Sequence, residues 1–143
     1  MYPKNCNGKS FLTITLIIAF AAIVLKFLTL QFFKITIEQN QDYAQETLKL
    51  FSTAVENFAK DHNGAYPAAI SELLKSQPAY IDRDYITNPS NRKGYIYACP
   101  RLEPTGYRCS ATPVRCGLTG KKSYQVTTGG AFLVEECAKD DKD

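Results

Sequence analysis

The groups that could do chemistry in this chain are few, and their spacing narrows what they could do. There is one histidine, His62, directly after Asp61. A nucleophilic triad needs a serine or cysteine within hydrogen-bonding reach of an oriented histidine. His62 instead closes a long helical pattern, where the helix dipole favours a cation at the surface. Glu135-Glu136 and the terminal Asp140-Asp141-Lys142-Asp143 are acidic, but calcium requires six to eight oxygens set by a defined turn, and a solvated tail is the simpler reading. Gly117-Leu118-Thr119-Gly120-Lys121-Lys122 lacks the spacing of a phosphate-cradling loop. No catalytic residue, metal or cofactor is expected, and the chain reads as a non-enzyme.

Two sets of residues remain. Cys99, Cys109, Cys116 and Cys137 lie ten, seven and twenty-one residues apart. Zinc ligands usually arrive in close pairs, and none is present, so two disulfides are the preferred reading. Four cysteines allow three connectivities. Position favours Cys99 with Cys109, which end and enter consecutive strand-like runs, and Cys116 with Cys137. Each bridge would add about 2–4 kcal/mol to a small, loop-rich domain. Cys6 is left over as a free thiol, and Lys4-Asn5 before it does not form a lipidation box. The second set is basic: Arg92, Lys93, Arg101, Arg108, Arg115, Lys121 and Lys122 face one acid, Glu103, with Tyr95, Tyr97 and Tyr107 interleaved. Cations and aromatics on one face can track a nucleic-acid backbone and stack bases. Spread over separate loops they are a solvated surface.

The elements that must position these groups begin with an apolar run. Residues 11–33 carry a single charge, Lys26. About twenty helical residues cross a bilayer core, so the run is long enough to span. Thr13 and Thr15 are small costs, because a helical hydroxyl can return its proton to a backbone carbonyl. Lys26 needs to snorkel or find a partner. A cleaved secretory signal is the rival, with Ala19-Phe20-Ala21 resembling a cleavage site. The apolar run continues well past Ala21, which favours a retained membrane helix. Lys4 and Lys9 then hold the N-terminus in the cytoplasm and place the rest of the chain outside.

No Pro or Gly interrupts the chain between Gly8 and Gly64. Ile37, Ala44, Leu48, Phe51, Val55 and Phe58 recur in steps of mostly three and four, which is one apolar helical stripe. The sequence predicts a helix from Ser10 to His62, stopped by Asn63-Gly64. A short helix with Ser71 as N-cap follows. Four strands are expected at Tyr95–Cys99, Tyr107–Ala111, Ser123–Thr127 and Ala131–Glu136, with Gly129-Gly130 as a two-residue hairpin turn. Tyr95, Tyr97, Val126, Phe132 and Val134 would face the stripe. The fold class is therefore α+β: a long N-terminal helix packed by a small antiparallel, disulfide-stapled head. Its parts are a basic leader (1–10), a membrane helix (11–33), an amphipathic continuation (34–62) and the head (63–143). At 143 residues, 45% hydrophobic, 22% charged and net +3, there is no room for a multidomain enzyme and no charge excess that requires nucleic acid.

This organisation resembles a type IV pilin or type II secretion pseudopilin over the whole chain. Gly8-Lys9-Ser10-Phe11-Leu12-Thr13-Ile14-Thr15-Leu16 is similar to the prepilin pattern of glycine, phenylalanine and an apolar helix. Asn63-Gly64-Ala65-Tyr66-Pro67, then Leu73-Leu74, is similar to the opening of many pilin-like heads. Gly106-Tyr107, Ser110-Ala111-Thr112-Pro113, Gly117–Gly120 and Ser123–Val126 look like their closing strands. The resemblance implies removal of the leader by a prepilin peptidase after Ser10 or after Gly8, and methylation of the new terminus, Phe11 in the first case. It implies filament partners among other pilin-like subunits, met through residues 11–33, with Ala19, Ala21 and Ala22 permitting close approach and Lys26 taking a partner. The family's early glutamate is replaced by Thr13 or Thr15, depending on the register, which implies a minor, initiating or tip subunit, or a divergent member that is not polymerised. The implied location is the inner membrane, single-pass, with the head extracytoplasmic. The alternative is a stand-alone membrane-anchored binding module, with DNA as a ligand of the 92–122 region.

Overall fold

The computed structural model describes residues 7–87 and 90–138, with side chains from residue 11 onward. The expected leader 1–10 therefore lies largely outside the described residues, as do Asn88-Pro89 and the acidic tail at 139–143. The chain forms two compact units, 1–35 and 36–143. One α-helix, α1 (Asn7–Asp61), contributes to both. It starts three residues before the expected Ser10 and ends one residue before His62.

In the first unit every residue from 11 to 35 is exposed along the helix. Phe11, for example, keeps 72% of its surface open. Thr15 Oγ1 donates to the carbonyls of Leu12 (2.9 Å) and Phe11 (3.2 Å), and Thr29 Oγ1 to that of Lys26 (2.9 Å). These are the bonds a hydroxyl needs where water is absent. α1 is the one helix among the described residues long and apolar enough to cross a membrane, by length and composition.

In the second unit the predicted stripe is the core. Ile37, Ala44, Leu48, Phe51, Val55 and Phe58 are all buried, joined by Ala54 and Ala59. The helix ends in a backbone cap. Gly64 N–H donates to Ala59 C=O at 2.7 Å while Asn63 takes the left-handed conformation at φ 56°. This is the Schellman arrangement, so Asn63 rather than the glycine fills the C′ position. α2 (Ile70–Lys75) buries Ile70 and Leu73. Its N-cap is Ala69, not the expected Ser71, and no side chain caps it. Ser71 falls inside the first turn because burial of Ile70 starts the helix two residues earlier, and Glu72 reaches back to accept from Ala68 N–H at 3.2 Å.

The sheet is a five-stranded antiparallel meander in sequence order: β1 (Asn91–Arg92), β2 (Tyr95–Glu103), β3 (Gly106–Pro113), β4 (Lys122–Thr127) and β5 (Ala131–Glu136). β1 is an addition to the expected four strands. Alternate residues turn inward: Tyr95 and Tyr97 from β2, Tyr107, Cys109 and Ala111 from β3, and Tyr124 and Val126 from β4 are buried. Two expectations are corrected. Gly129-Gly130 lies in a three-residue 3-10 turn, Thr128–Gly130, because Glu56 accepts from Gly129 N–H at 2.8 Å and draws the backbone toward the helix. Val134 has the inward phase, opposite buried Tyr124, yet stays 49% exposed. It sits on the outermost strand, with no neighbour beyond β5 to cover its open side. Phe132 on the same strand is half-buried, with the Lys49 ammonium 5.7 Å from its ring centre.

Candidate functional site

Three surfaces carry the residues singled out from sequence. The first is the apolar length of α1. Gly8 and Ser10 lie within the helix backbone, and Phe11 is exposed. Thr13, Thr15, Ala19, Ala21, Ala22 and Lys26 all lie on exposed helix. Eight Phe, Leu and Ile side chains from Phe11 to Phe20 and Ile23 are more than half exposed, which is an energetically expensive surface in water.

The second is the disulfide framework. Cys99 is bonded to Cys109 and Cys116 to Cys137, with Cα separations of 4.0 and 5.8 Å. These are the two pairings that position favoured. The first joins β2 to β3 where their register shifts between Ala98 and Arg101, so an irregular stretch of strand is tied to its neighbour. The second ties the 114–121 loop to the residue after β5.

The third is the cationic set, and the structure divides it. Arg101 and Arg108 are cross-strand partners at one end of the sheet, level with Thr127. Arg101 engages Glu103 at 3.5 Å. Lys93, Arg115, Lys121 and Lys122 lie at the other end, past or level with the row Tyr95–Pro113 and Lys122–Glu136. Along β4 that is five residues, about 17 Å. Arg92 is half-buried, its guanidinium 5.8 Å from the Tyr85 ring centre, and donates to Asp84 C=O at 3.4 Å. The seven residues do not form one surface. Nor do the interleaved tyrosines offer faces for stacking: Tyr95, Tyr97 and Tyr107 are buried against α1's side of the sheet.

Burial sets the chemistry of those tyrosines. It pushes the Tyr97 hydroxyl up to about 12 and raises Tyr95 and Tyr107 further above the ordinary phenol value. Tyr95 donates to Lys122 C=O at 2.8 Å, and Tyr107 shares a 2.8 Å hydrogen bond with buried Ser52. The Tyr97 hydroxyl faces Thr47 without closing a hydrogen bond of normal geometry. At Asp84, burial opposes ionisation, but hydrogen bonds from Thr87 and the Ile86 N–H hold the carboxyl below its usual range. These groups hold the fold.

The remaining candidates are occupied structurally. The His62 ring stacks on Phe58 at 3.9 Å, and Nδ1 lies 2.8 Å from Phe58 C=O. Asp61 accepts from Tyr80. An open groove of roughly 440 Å³ runs between α1 (Lys49, Thr53, Glu56, Lys60) and Gly130 and Phe132. Its acid, Glu56, is already engaged by Tyr66 and Gly129 N–H.

Sequence reasoning passed over the polar pins between helix and loops. Asn40 Nδ2 donates to Thr119 C=O at 3.1 Å, and Gln41 Oε1 accepts from Lys121 N–H at 2.8 Å. The only signal was two adjacent amides flanking an apolar stripe. No protein-family model, curated protein or solved structure matches this chain.

Proposed function

We propose that the chain is a non-enzymatic, pilin-like subunit that enters a type IV pilus or a type II secretion pseudopilus through its N-terminal helix. The observation that carries this reading is the division of labour along α1: residues 11–35 expose every side chain, while residues 37–59 supply the stripe on which an antiparallel, disulfide-stapled sheet is built. A helix apolar on all sides has two stable surroundings, lipid and other apolar helices. A subunit stored in a membrane and then assembled into a filament core uses both. The cysteine pairing agrees with export to an oxidising compartment.

In this reading the leader is removed before Phe11, and the helix then packs among related helices, with Ala19, Ala21 and Ala22 at close approach and Lys26 paired to an acid or carbonyl. With threonine at both positions the early acid could take, the chain is a minor subunit that depends on others. The test is intact mass analysis of the membrane-extracted protein from cells with a prepilin peptidase. The expected mature chain starts at Phe11, and an unprocessed Met1 terminus contradicts the reading.

A further inference from the structure

We propose that the end of the head bearing Lys93, Arg115 and Lys121 is a docking surface for an anionic phospholipid bilayer, with Leu118 as an apolar tip that enters the headgroup layer. This rests on the reading of residues 11–33 as membrane-inserted.

The sheet brings these residues to one end. Beyond the cross-strand row of Tyr95, Pro113, Lys122 and Glu136 the chain turns back through Lys93-Gly94 and through the 114–121 loop. Val114 N–H donates to Gly94 C=O at 2.9 Å, joining the two turns. Both are pinned at the level of Asn40 and Gln41 on α1. Thr119 C=O accepts from Asn40, Lys121 N–H donates to Gln41, and a Cβ on Gly94 would lie 2.7 Å from Thr119 Cβ. Residues 40 and 41 are near the start of the second unit, which opens at 36. Only seven residues separate Asn40 from Phe33, the end of the apolar run. A stretch of seven residues spans at most about 25 Å.

The loop is built to hold a shape. Leu118 and Thr119 N–H both donate to Arg115 C=O, Gly117 N–H donates to Gly120 C=O at 2.8 Å, and the Cys116–Cys137 bridge clamps its base. At its tip Leu118 is 58% exposed, with Val114 41% exposed beside the base. An ordered loop that offers an apolar tip between cations suits an interface: the side chain enters the acyl boundary while ammonium and guanidinium groups meet phosphates. Among the described residues Lys93, Arg115 and Lys121 have no ion-pair partner. Among the described residues the acids toward this end are Glu38 and Asp42 on α1 and Glu135 and Glu136 on β5; Asp140, Asp141 and Asp143 follow Cys137 in the sequence and lie outside the described residues.

The chain has no tryptophan, so a single introduced one reports alone. Full-length oxidised protein carrying Leu118→Trp is reconstituted in nanodiscs containing lipids brominated near the headgroup, either zwitterionic or with anionic phosphatidylglycerol. Phe20→Trp, measured with lipids brominated deep in the chains, reports insertion of the helix. The expected result is Leu118→Trp quenching at least about twofold stronger in anionic than in neutral discs, falling to the neutral level in about 1 M salt, where the Debye length is about 3 Å. The triple variant K93E/R115E/K121E should fall likewise. Quenching of Phe20→Trp together with Leu118→Trp signals that ignore lipid charge and salt would overturn the inference and leave the anchor intact. Absence of Phe20→Trp quenching would instead remove the membrane reading beneath it. A spectral change produced by duplex DNA but by no bilayer would assign these cations to nucleic acid and overturn the inference too.

Discussion

At the level of single residues, three of the head's buried tyrosines, Tyr95, Tyr97 and Tyr107, differ in how their hydroxyls are satisfied. Tyr107 and Ser52 satisfy each other at 2.8 Å, so Tyr107→Phe leaves a buried serine hydroxyl behind and should cost about 1–2 kcal/mol. Tyr97 faces Thr47 without a normal hydrogen bond. Tyr97→Phe should therefore be neutral or slightly stabilising at pH 7, by up to about 1 kcal/mol. Urea unfolding of the oxidised chain in detergent, followed by circular dichroism, separates the two. Both tyrosines also bear on stability at high pH. Burial raises the folded-state value of Tyr97 to about 12, above the ordinary phenol value of 10. Between these values the unfolded chain has released a proton that the folded chain still holds, so stability falls as pH rises through that window. Each such tyrosine adds about 1.4 kcal/mol per pH unit to the decline, and Tyr97→Phe should remove one share of that slope between pH 10 and 12. The inward phase of Tyr95 and Tyr97 was readable from strand alternation. The pairing of Tyr107 with Ser52, fifty-five residues away in sequence, was not, because a lone serine on a helix face carries no mark of its partner.

Elements with a strong period were legible; elements set by their neighbours were not. α1 and the stripe from Ile37 to Phe58 follow from step-of-three-and-four spacing and the absence of Pro and Gly. β1 has two residues and no period, and forms because Asn91 and Arg92 lie alongside Ile96 and Tyr95. The exposure of Val134 is a property of its place at the sheet edge, which alternation cannot encode. The cap at the end of α1 gives a direct test. Gly64 sits at φ 85° with nothing within 4 Å of a prospective Cβ, so Gly64→Ala meets conformational strain and no clash. It should cost about 1 kcal/mol. Gly120 is the opposite case: a Cβ there would run into the buried Tyr95 ring, so Gly120→Ala should destabilise more than Gly64→Ala and should disturb the 114–121 loop. Thermal unfolding of both variants ranks them. Replacing Cys116 and Cys137 together by serine should cost about 2–4 kcal/mol and raise hydrogen exchange selectively in the same loop.

For the whole molecule, the sequence pointed to a greasy helix and a small stapled head, and the folded chain has both. The candidate nucleic-acid region was the part that sequence described least well. Seven cations within thirty-one residues look contiguous on paper, yet a meander sends its turns alternately to opposite ends of the sheet, and Arg101 and Arg108 part from Lys93, Arg115 and Lys121. The exposed apolar length of α1 has two proposed surroundings, lipid during storage and other helices after assembly. That is tested most directly by placing a photo-crosslinking side chain at Phe20 in the full-length protein, irradiating intact cells, and identifying what it captures. The account predicts a covalent adduct with a second chain that also carries an apolar N-terminal helix, beside lipid adducts from the unassembled pool. Lipid adducts alone, under conditions in which the cell is assembling its filaments, would contradict it.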